Sequence, residues 1–231
     1  MQIHGFNKTT LLDYPKHIAA TIFLGGCNYR CPFCHNASLV INPLGQPIIP
    51  EEEVLSLLDK RKHLLEGVCI TGGEPTLQKD LPTFISKIKQ MGLKVKLDTN
   101  GNNPDMIKYL VSKGLIDYIA MDIKNSLEKY GTTVGFLNFK TEQICESITY
   151  IMNCGIPYEF RTTVVKEFHT QSDFIQIGEW IKGAKAYYLQ NYKDSGDTIF
   201  PGLSSYSKIE LEDFKQILMT YVETVNLRGI D

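Results

Sequence analysis

Six short apolar runs recur along the chain, and segments with helical spacing separate them. The runs are rich in Val, Ile and Leu, which is typical of buried strands. They cover residues 18–24, 67–71, 93–97, 118–121, 158–165 and 186–189. Apolar residues three and four positions apart predict amphipathic helices between and after them. These helices cover residues 51–62, 80–91, 104–113, 141–153, 173–181 and 208–225.

The alternation of strands and helices predicts a parallel sheet, because parallel neighbours need a helical crossover. Six strand–helix units are fewer than the eight of a closed barrel. The predicted fold is therefore α/β: an open, partial TIM barrel of the (β/α)6 type with parallel strands. A chain of 231 residues accommodates one core of this size and little more, so residues 1–231 are predicted to form a single domain.

Polar residues follow directly after several of the predicted strands. Residues 72–75 (Gly-Gly-Glu-Pro) follow the second strand, residues 98–101 (Asp-Thr-Asn-Gly) the third, and residues 122–124 (Asp-Ile-Lys) the fourth. Gln190 follows the sixth strand, and the fifth carries Arg161, an unusual residue for a buried position unless it meets an anion. Barrels of this kind build their active sites at the carboxyl ends of the strands, so one shared site is predicted there.

Composition narrows the class of protein further. The 24 basic and 26 acidic residues are nearly balanced, and nothing in the overall charge indicates a nucleic-acid partner. The first fourteen residues are polar and lack the apolar run of a secretory signal, and no segment reaches the length of a membrane span. We therefore expect a cytoplasmic protein with no membrane partner.

Three of the six cysteines, Cys27, Cys31 and Cys34, fall within eight residues. This clustering fits a metal site in a reducing compartment better than a disulfide scaffold. Three thiolates can hold three irons of a four-iron cluster and leave the fourth iron open to another ligand. The remaining cysteines have no ligand-like neighbours and are predicted to be small buried apolar residues: Cys69, Cys145 and Cys154.

A zinc-binding interaction module is the alternative from outside enzymology, since Cys31, Cys34 and His35 also look like half of a zinc knuckle. A structural zinc needs a fourth ligand. His35 adjoins Cys34 and could supply it only with awkward geometry, and the sequence has no second Cys-x-x-Cys pair.

The cysteine spacing followed by Gly-Gly-Glu-Pro resembles the signature of the radical S-adenosylmethionine (SAM) superfamily. That resemblance implies a [4Fe-4S] cluster on Cys27, Cys31 and Cys34, with S-adenosylmethionine chelated by the open iron. It also implies reductive cleavage of S-adenosylmethionine to a 5′-deoxyadenosyl radical. Phe33, the aromatic residue beside the last cysteine, belongs to the same motif and is placed at the cofactor site.

The resemblance also assigns roles around the cofactor. Gly72, Gly73 and Glu74 would face the methionyl ammonium group, and Lys124 would pair with the methionyl carboxylate. A tight turn with Glu74 as a helix cap is the alternative for that segment.

Residues of the later strands complete the implied site. Asp98, Thr99 and Asp122, with the Ala120 carbonyl, would enclose a small cation of the monovalent type. Ordinary loop-start capping is the alternative for the two aspartates. The remaining contacts to S-adenosylmethionine would come from residues in or just after the strands: Asn100, Arg161 and Gln190.

The Asp-Thr-Asn-Gly and Asp-x-Lys segments resemble those of glycyl radical enzyme activases. Together with Gly5 to Pro15 and Cys-Pro-Phe-Cys-His-Asn, they are most similar to anaerobic ribonucleoside-triphosphate reductase activating proteins, over nearly the whole chain. The resemblance implies a glycyl radical enzyme as protein substrate and an electron donor of the flavodoxin or ferredoxin type. The alternatives are an activase of another glycyl radical enzyme and a small-molecule enzyme similar to 7-carboxy-7-deazaguanine synthase. For Leu11, Leu12 and Tyr14 in the opening segment, packing against the first strand is the structural alternative.

Overall fold

One eight-stranded sheet runs through the computed structural model, which describes residues 1–230. The strands lie in the sheet in the order of the chain. They are β1 (Ile3–Thr10), β2 (Ala19–Leu24), β3 (Gly67–Gly72), β4 (Lys94–Thr99), β5 (Tyr118–Asp122), β6 (Tyr158–Val164), β7 (Tyr187–Asn191) and β8 (Val225–Arg228). Strand β1 is antiparallel to β2, and every later pair is parallel.

Helices connect the parallel strands, as the alternating pattern predicts. They are α1 (Ala37–Ile41), α2 (Glu51–Arg61), α3 (Leu81–Gln90), α4 (Pro104–Ser112), α5 (Tyr130–Val134), α6 (Glu142–Asn153), α7 (Gln171–Trp180) and α8 (Lys208–Leu218). Sequence signals mark several of their ends: Ser207 and Glu210 form a capping box at α8. No helix within residues 1–230 is long and apolar enough to cross a membrane.

The prediction of an open parallel α/β sheet is confirmed, and the six predicted strands correspond to β2 through β7. Two strands at the sheet edges were not predicted. Strand β1 is largely polar and half exposed, and the predicted helix over residues 208–225 ends at Leu218, so that Val225 instead begins β8. The sheet stays open because its edges, β1 and β8, pair with β2 and β7 and not with each other.

Alternation along the strands separates an apolar layer from a polar one. In β4, Val95 and Leu97 are fully buried, whereas Lys96 and Asp98 point to the opposite face. Helix α3 supplies Phe84, Ile85 and Ile88, all fully buried, to the hydrophobic core that includes Val95 and Leu97. Burying one such side chain stabilises the fold by about 1.5–3 kcal/mol. The opposite face carries charged residues together with small uncharged ones such as Cys69 and Ala120.

The opening segment packs only in part. Tyr14 is buried and lies against Gly67, where an added Cβ would come within 2.8 Å of the Tyr14 ring. Leu11 and Leu12 are exposed, so the packing interpretation is wrong for the two leucines. Tyr14 does pack into the fold, but the contact shown is with β3, the second predicted strand, and not with the first.

Candidate functional site

The cysteine loop, residues 27–34, leaves the carboxyl end of β2 and crosses towards the later strands. Backbone hydrogen bonds hold it on both sides: the Arg30 amide donates to the Val134 carbonyl, and the Phe200 amide donates to the Pro32 carbonyl, each at 2.9 Å. Phe33 is buried and packs edge-on against the rings of Phe168 and His169. The loop is therefore fixed by tertiary contacts as well as by its own turns.

Burial sets the protonation of the three thiols. It raises the pKa of Cys27 to about 11 and that of Cys31 to about 12, and it raises the pKa of Cys34 as well. The positive charge of Lys124 acts in the opposite direction on all three. Because thiolates are the metal-ligating form, binding a metal group here must release protons, and the metal's own charge must favour the thiolates.

The other three cysteines lie elsewhere. Cys69 is fully buried in β3, as predicted, but its thiol lies 3.6 Å from an Asp98 oxygen and 3.8 Å from Lys96 Nζ rather than among apolar groups. Cys145 and Cys154, on and just after α6, are only partly buried, so the prediction of buried residues is wrong for these two.

Gly72 and Gly73 allow the end of β3 to lie in close contact with β2 and with Gly26, the residue before the cysteine loop. A Cβ on Gly73 would lie 2.0 Å from the Gly26 carbonyl oxygen, and one on Gly72, where φ is +112°, would lie 2.4 Å from the Leu24 backbone. Asn36, just after the cysteines, donates from its side chain to the Gly72 carbonyl at 2.9 Å. The glycines are thus required by backbone packing, whatever ligand they also face.

Glu74 does not face the cavity next to these glycines; its carboxylate is buried, with 1% of the residue exposed. It accepts hydrogen bonds from the Thr76 amide (3.1 Å), the Thr76 hydroxyl (2.5 Å), the Thr99 hydroxyl (2.8 Å) and the Asn100 amide (2.6 Å). Burial raises the pKa of Glu74, although these four bonds act in the opposite direction. The structure therefore gives the Glu74 side chain a capping and bridging role, and its contact with the methionyl ammonium group stays a prediction.

We expect Glu74→Ala to lower the free energy of unfolding by about 2–3 kcal/mol. The substitution leaves donors of Thr76, Thr99 and Asn100 without an acceptor, and each buried unsatisfied group costs about 1–3 kcal/mol. Urea unfolding at constant m-value measures the change. Glu74→Gln keeps one acceptor oxygen and is expected to lose less. An unchanged midpoint for Glu74→Ala together with lost affinity for S-adenosylmethionine would instead support the direct contact predicted from sequence.

Five charged side chains form a chain of ion pairs across the face of the sheet opposite the apolar layer. Arg161 on β6 donates to Asp98 at 2.8 Å and to Asp122 at 2.9 Å, and Lys124 contacts the other Asp122 oxygen at 2.9 Å. Lys96 pairs with the other oxygen of Asp98. The anions that Arg161 meets are therefore two aspartates of this chain.

These pairs fix the charges of the site. Burial alone would raise the pKa of Asp98 and Asp122, but Arg161 lowers both pKa values, together with Lys96 at Asp98 and with Lys124 at Asp122. Burial would lower the pKa of Lys124, yet Asp122 raises it well above its ordinary value. Both carboxylates are thus paired with cationic side chains, and the small cation beside Asp98, Thr99 and Asp122 stays a prediction.

A cavity of about 280 Å³ brings the cysteine loop and these strand ends together. Every predicted site residue except Glu74 and Ala120 lines it: Cys27, Cys31, Phe33, Cys34, Gly72, Gly73, Asp98, Thr99, Asn100, Asp122, Lys124, Arg161 and Gln190. A second, open cavity of about 580 Å³ adjoins it and shares Asp13, His35, Asp98, Arg161 and Gln190 with it. The second cavity extends from Leu12 to Gly229, which lie next to the two open edges of the sheet.

Sequence reasoning missed several residues that line the first cavity. They are Asp13, Tyr29, His35, Asn36, Val40, Thr71 and Thr163. His35 and Asn36 directly follow the cysteine motif, which was a usable signal, and the His35 ring stacks on Tyr192 at 5.5 Å between centroids. Asp13 precedes β2 by several residues and accepts a bond from Thr21 at 2.5 Å, a contact that no local pattern indicates.

A model of the family described as the Radical SAM superfamily matches residues 21–181. A protein of Methanocaldococcus jannaschii, provisionally named as a glycyl-radical enzyme activating enzyme, is 33% identical over 99% of this chain and 96% of its own length. Pyruvate formate-lyase-activating enzyme of Clostridium pasteurianum is 31% identical over 54% of this chain and 52% of its own. 7-Carboxy-7-deazaguanine synthase of Thermoplasma acidophilum is 37% identical over 48% of each chain. This chain thus spans nearly all of the first relative and about half of the other two.

Solved structures of SuiB from Streptococcus suis share the fold. The form bound to the precursor peptide SuiA has a TM-score of 0.71 at 16% identity, covering 90% of this chain and 48% of SuiB. The form bound to S-adenosylmethionine has a TM-score of 0.66 at 16% identity, covering 87% and 47%. At this identity the likeness concerns the fold alone.

Proposed function

The chain belongs to the radical SAM superfamily, and we propose that this radical SAM enzyme activates a glycyl radical enzyme. The observation that carries the proposal is the end-to-end similarity to a protein named as such an activating enzyme. The second cavity supports it, because an opening between the sheet edges gives a polypeptide loop a path to the first cavity. In the proposed reaction a hydrogen atom passes from a backbone glycine of the partner to the 5′-deoxyadenosyl radical.

The donor set fits a [4Fe-4S] cluster held by Cys27, Cys31 and Cys34. Within residues 1–230, no three His, Cys, Asp or Glu side chains converge on a point that would hold a single metal ion. A structural zinc requires four ligands around one ion, whereas a four-iron cluster takes each thiolate on a different iron. When bound, such a cluster supplies the electron for reductive cleavage of S-adenosylmethionine.

The chain's own residues would bind and orient the nucleoside cofactor. We propose that Lys124, kept cationic by Asp122, faces the methionyl carboxylate, and that Gly72 and Gly73 admit the methionyl end close to the backbone. Arg161 and Gln190 line both cavities and would contact the part of the ligand nearer to the substrate. Phe33 closes the site on the side of the rings of Phe168, which is partly buried, and His169, which is buried, and it would exclude water there. The remaining predicted contacts are proposed at the ends of β4 and β5: Asp98, Thr99, Asn100 and Asp122.

We propose anaerobic ribonucleoside-triphosphate reductase as the partner and a flavodoxin- or ferredoxin-type protein as the electron donor. The motifs of residues 5–15 and 31–36 support this partner over other glycyl radical enzymes. A small-molecule reaction like that of 7-carboxy-7-deazaguanine synthase is the second candidate, because about half of this chain matches one such enzyme.

Electron paramagnetic resonance tests the proposal. The reconstituted, reduced protein is mixed anaerobically with S-adenosylmethionine and the reductase, and we expect the doublet of a glycyl radical on the reductase. A reductase labelled with α-deuterated glycine should collapse the doublet, because the splitting comes from the α-hydrogen, and omission of S-adenosylmethionine should abolish it. A cluster signal that shifts with S-adenosylmethionine but gives no partner radical would contradict this partner and direct the search to other substrates.

A further inference from the structure

The cysteine loop has a solvent side that takes no part in either cavity. Arg30 is the exposed residue of this loop, and it lies between the proposed ligands Cys27 and Cys31 in sequence. Neither cavity is lined by Arg30, whereas its neighbours Tyr29 and Cys31 both line the first. The loop thus separates the cofactor cavity from a patch of surface that lies directly over the cysteines.

Two exposed apolar side chains belong to segments whose backbone contacts the loop. Leu137 is 96% exposed and follows Gly135, where an added Cβ would lie 2.8 Å from the Arg30 carbonyl oxygen. Phe200 is 63% exposed, and its amide is bonded to the Pro32 carbonyl. Leu137 and Phe200 line neither cavity. We call Arg30, Leu137 and Phe200 the loop face.

The loop face carries a positive charge close to a proposed cluster ligand. Arg30 Nη1 donates to the Cys27 carbonyl at 2.8 Å and to the Tyr29 carbonyl at 2.7 Å. In the part of the chain that the structure describes, no carboxylate pairs with Arg30. Because both partners of the guanidinium are neutral, its charge remains available to an acidic surface.

We propose that the loop face is the docking site of a small acidic protein that donates single electrons. The inference rests on the proposed function, since reductive cleavage of S-adenosylmethionine requires one electron from outside in each event. In the docked complex one electron leaves the reduced donor and enters the cluster: the donor is oxidised by one electron and the cluster is reduced by one, with no atom transferred. A small apolar contact with opposite charges is typical of transient electron-transfer complexes, which bury less than about 1,200 Å².

The position of the loop face favours an electron donor over the glycyl radical enzyme. A partner glycine must enter through the second cavity, which extends from Leu12 to Gly229. An electron needs only proximity to the cysteines, and the loop face provides that from outside. The two partners would then use different surfaces and could be bound together.

Introducing a negative charge at the apolar members of the loop face tests the proposal. Leu137→Glu and Phe200→Glu place a carboxylate where an acidic partner would dock, and Leu64→Glu is the matched control at an exposed leucine before β3, at the amino ends of the strands. The first readout is the Kd for isotope-labelled flavodoxin titrated with the reconstituted holoenzyme. The second is the rate of S-adenosylmethionine cleavage, driven in parallel by reduced flavodoxin and by dithionite.

We expect both loop-face variants to weaken flavodoxin binding, and to slow flavodoxin-driven cleavage, by about tenfold or more. Dithionite-driven cleavage and iron content should stay unchanged, and Leu64→Glu should behave like the unchanged protein. An unaltered Kd in both variants would overturn the proposal. So would loss of glycyl radical formation with dithionite in these variants, because it would assign the loop face to the glycyl radical enzyme. Failure of the unchanged protein to cleave S-adenosylmethionine with dithionite would instead refute the proposed function.

Discussion

Cys31→Ala is expected to abolish both iron binding and the cleavage of S-adenosylmethionine. Cys31 is buried in the middle of the cysteine loop, and a cluster with only two protein ligands would leave two irons open. Cys27→Ala and Cys34→Ala are expected to have the same effect. Iron and sulfide content of the anaerobically reconstituted protein, and chromatography of 5′-deoxyadenosine after reduction with dithionite, measure the two losses.

Cys69→Ala is the matched control for this experiment. Cys69 is at least as buried as Cys31, but it lies on the central part of β3 beside Lys96 and Asp98, away from the cysteine loop. We expect this variant, and likewise Cys145→Ala and Cys154→Ala, to keep cluster and cleavage. Loss of iron in any of these three would show that the ligands are misassigned, and one zinc without sulfide in the unchanged protein would favour the interaction module.

Arg161→Met is expected to produce the largest loss of stability, about 3 kcal/mol or more. Arg161 is the cation shared by Asp98 and Asp122, and removing one member of a buried ion-pair network leaves uncompensated charge that costs about 3–5 kcal/mol. In the variant Asp122 still pairs with Lys124 and Asp98 still pairs with Lys96. Because these pairs compensate part of the charge, we expect a loss of stability at the lower end of that range. Urea unfolding of the protein at neutral pH, followed by circular dichroism, measures it.

The pH dependence of this loss identifies its cause. The folded-state pKa values of Asp98 and Asp122 lie below their unfolded values, so their contribution to stability is present above about pH 4 and is lost as the pH falls through the folded pKa. The difference between Arg161→Met and the unchanged protein should therefore shrink on acidification. Arg161→Lys keeps the charge but loses the fork that reaches both aspartates, and it should lie between the two. A difference that stays constant with pH would point to lost packing instead.

Much of the fold followed from local patterns. Buried runs such as Val68 to Ile70 and helical stripes such as that of α3 concern neighbours in sequence, and both were confirmed. Strand β1 escaped prediction because it lies at the sheet edge with polar, half-exposed residues, which weakens the periodic signal. Strand β8 escaped because it is only four residues long and follows directly on a helical pattern.

The candidate site was also predicted in large part, because its residues follow predicted strands and parallel strands bring their carboxyl ends together. Glu74 shows where this reasoning stops. Its position after β3 is right, but the donors to its carboxylate depend on where the end of β4 places Thr99 and Asn100. The roles proposed for the cavity residues towards S-adenosylmethionine remain predictions.

The sequence by itself determined the spacing of Cys27, Cys31 and Cys34 and the order of strands and helices, because both are properties of short segments. Only the tertiary structure decided which charges meet. Arg161 pairs with Asp98, 63 residues away, and with Asp122, 39 residues away, because β4, β5 and β6 are neighbours that place these side chains on one face. The tertiary structure also decided that residue 73 must be glycine, because a Cβ there would lie 2.0 Å from the Gly26 carbonyl oxygen. Such contacts arise from the relative placement of distant segments, and no local pattern of polarity encodes that placement.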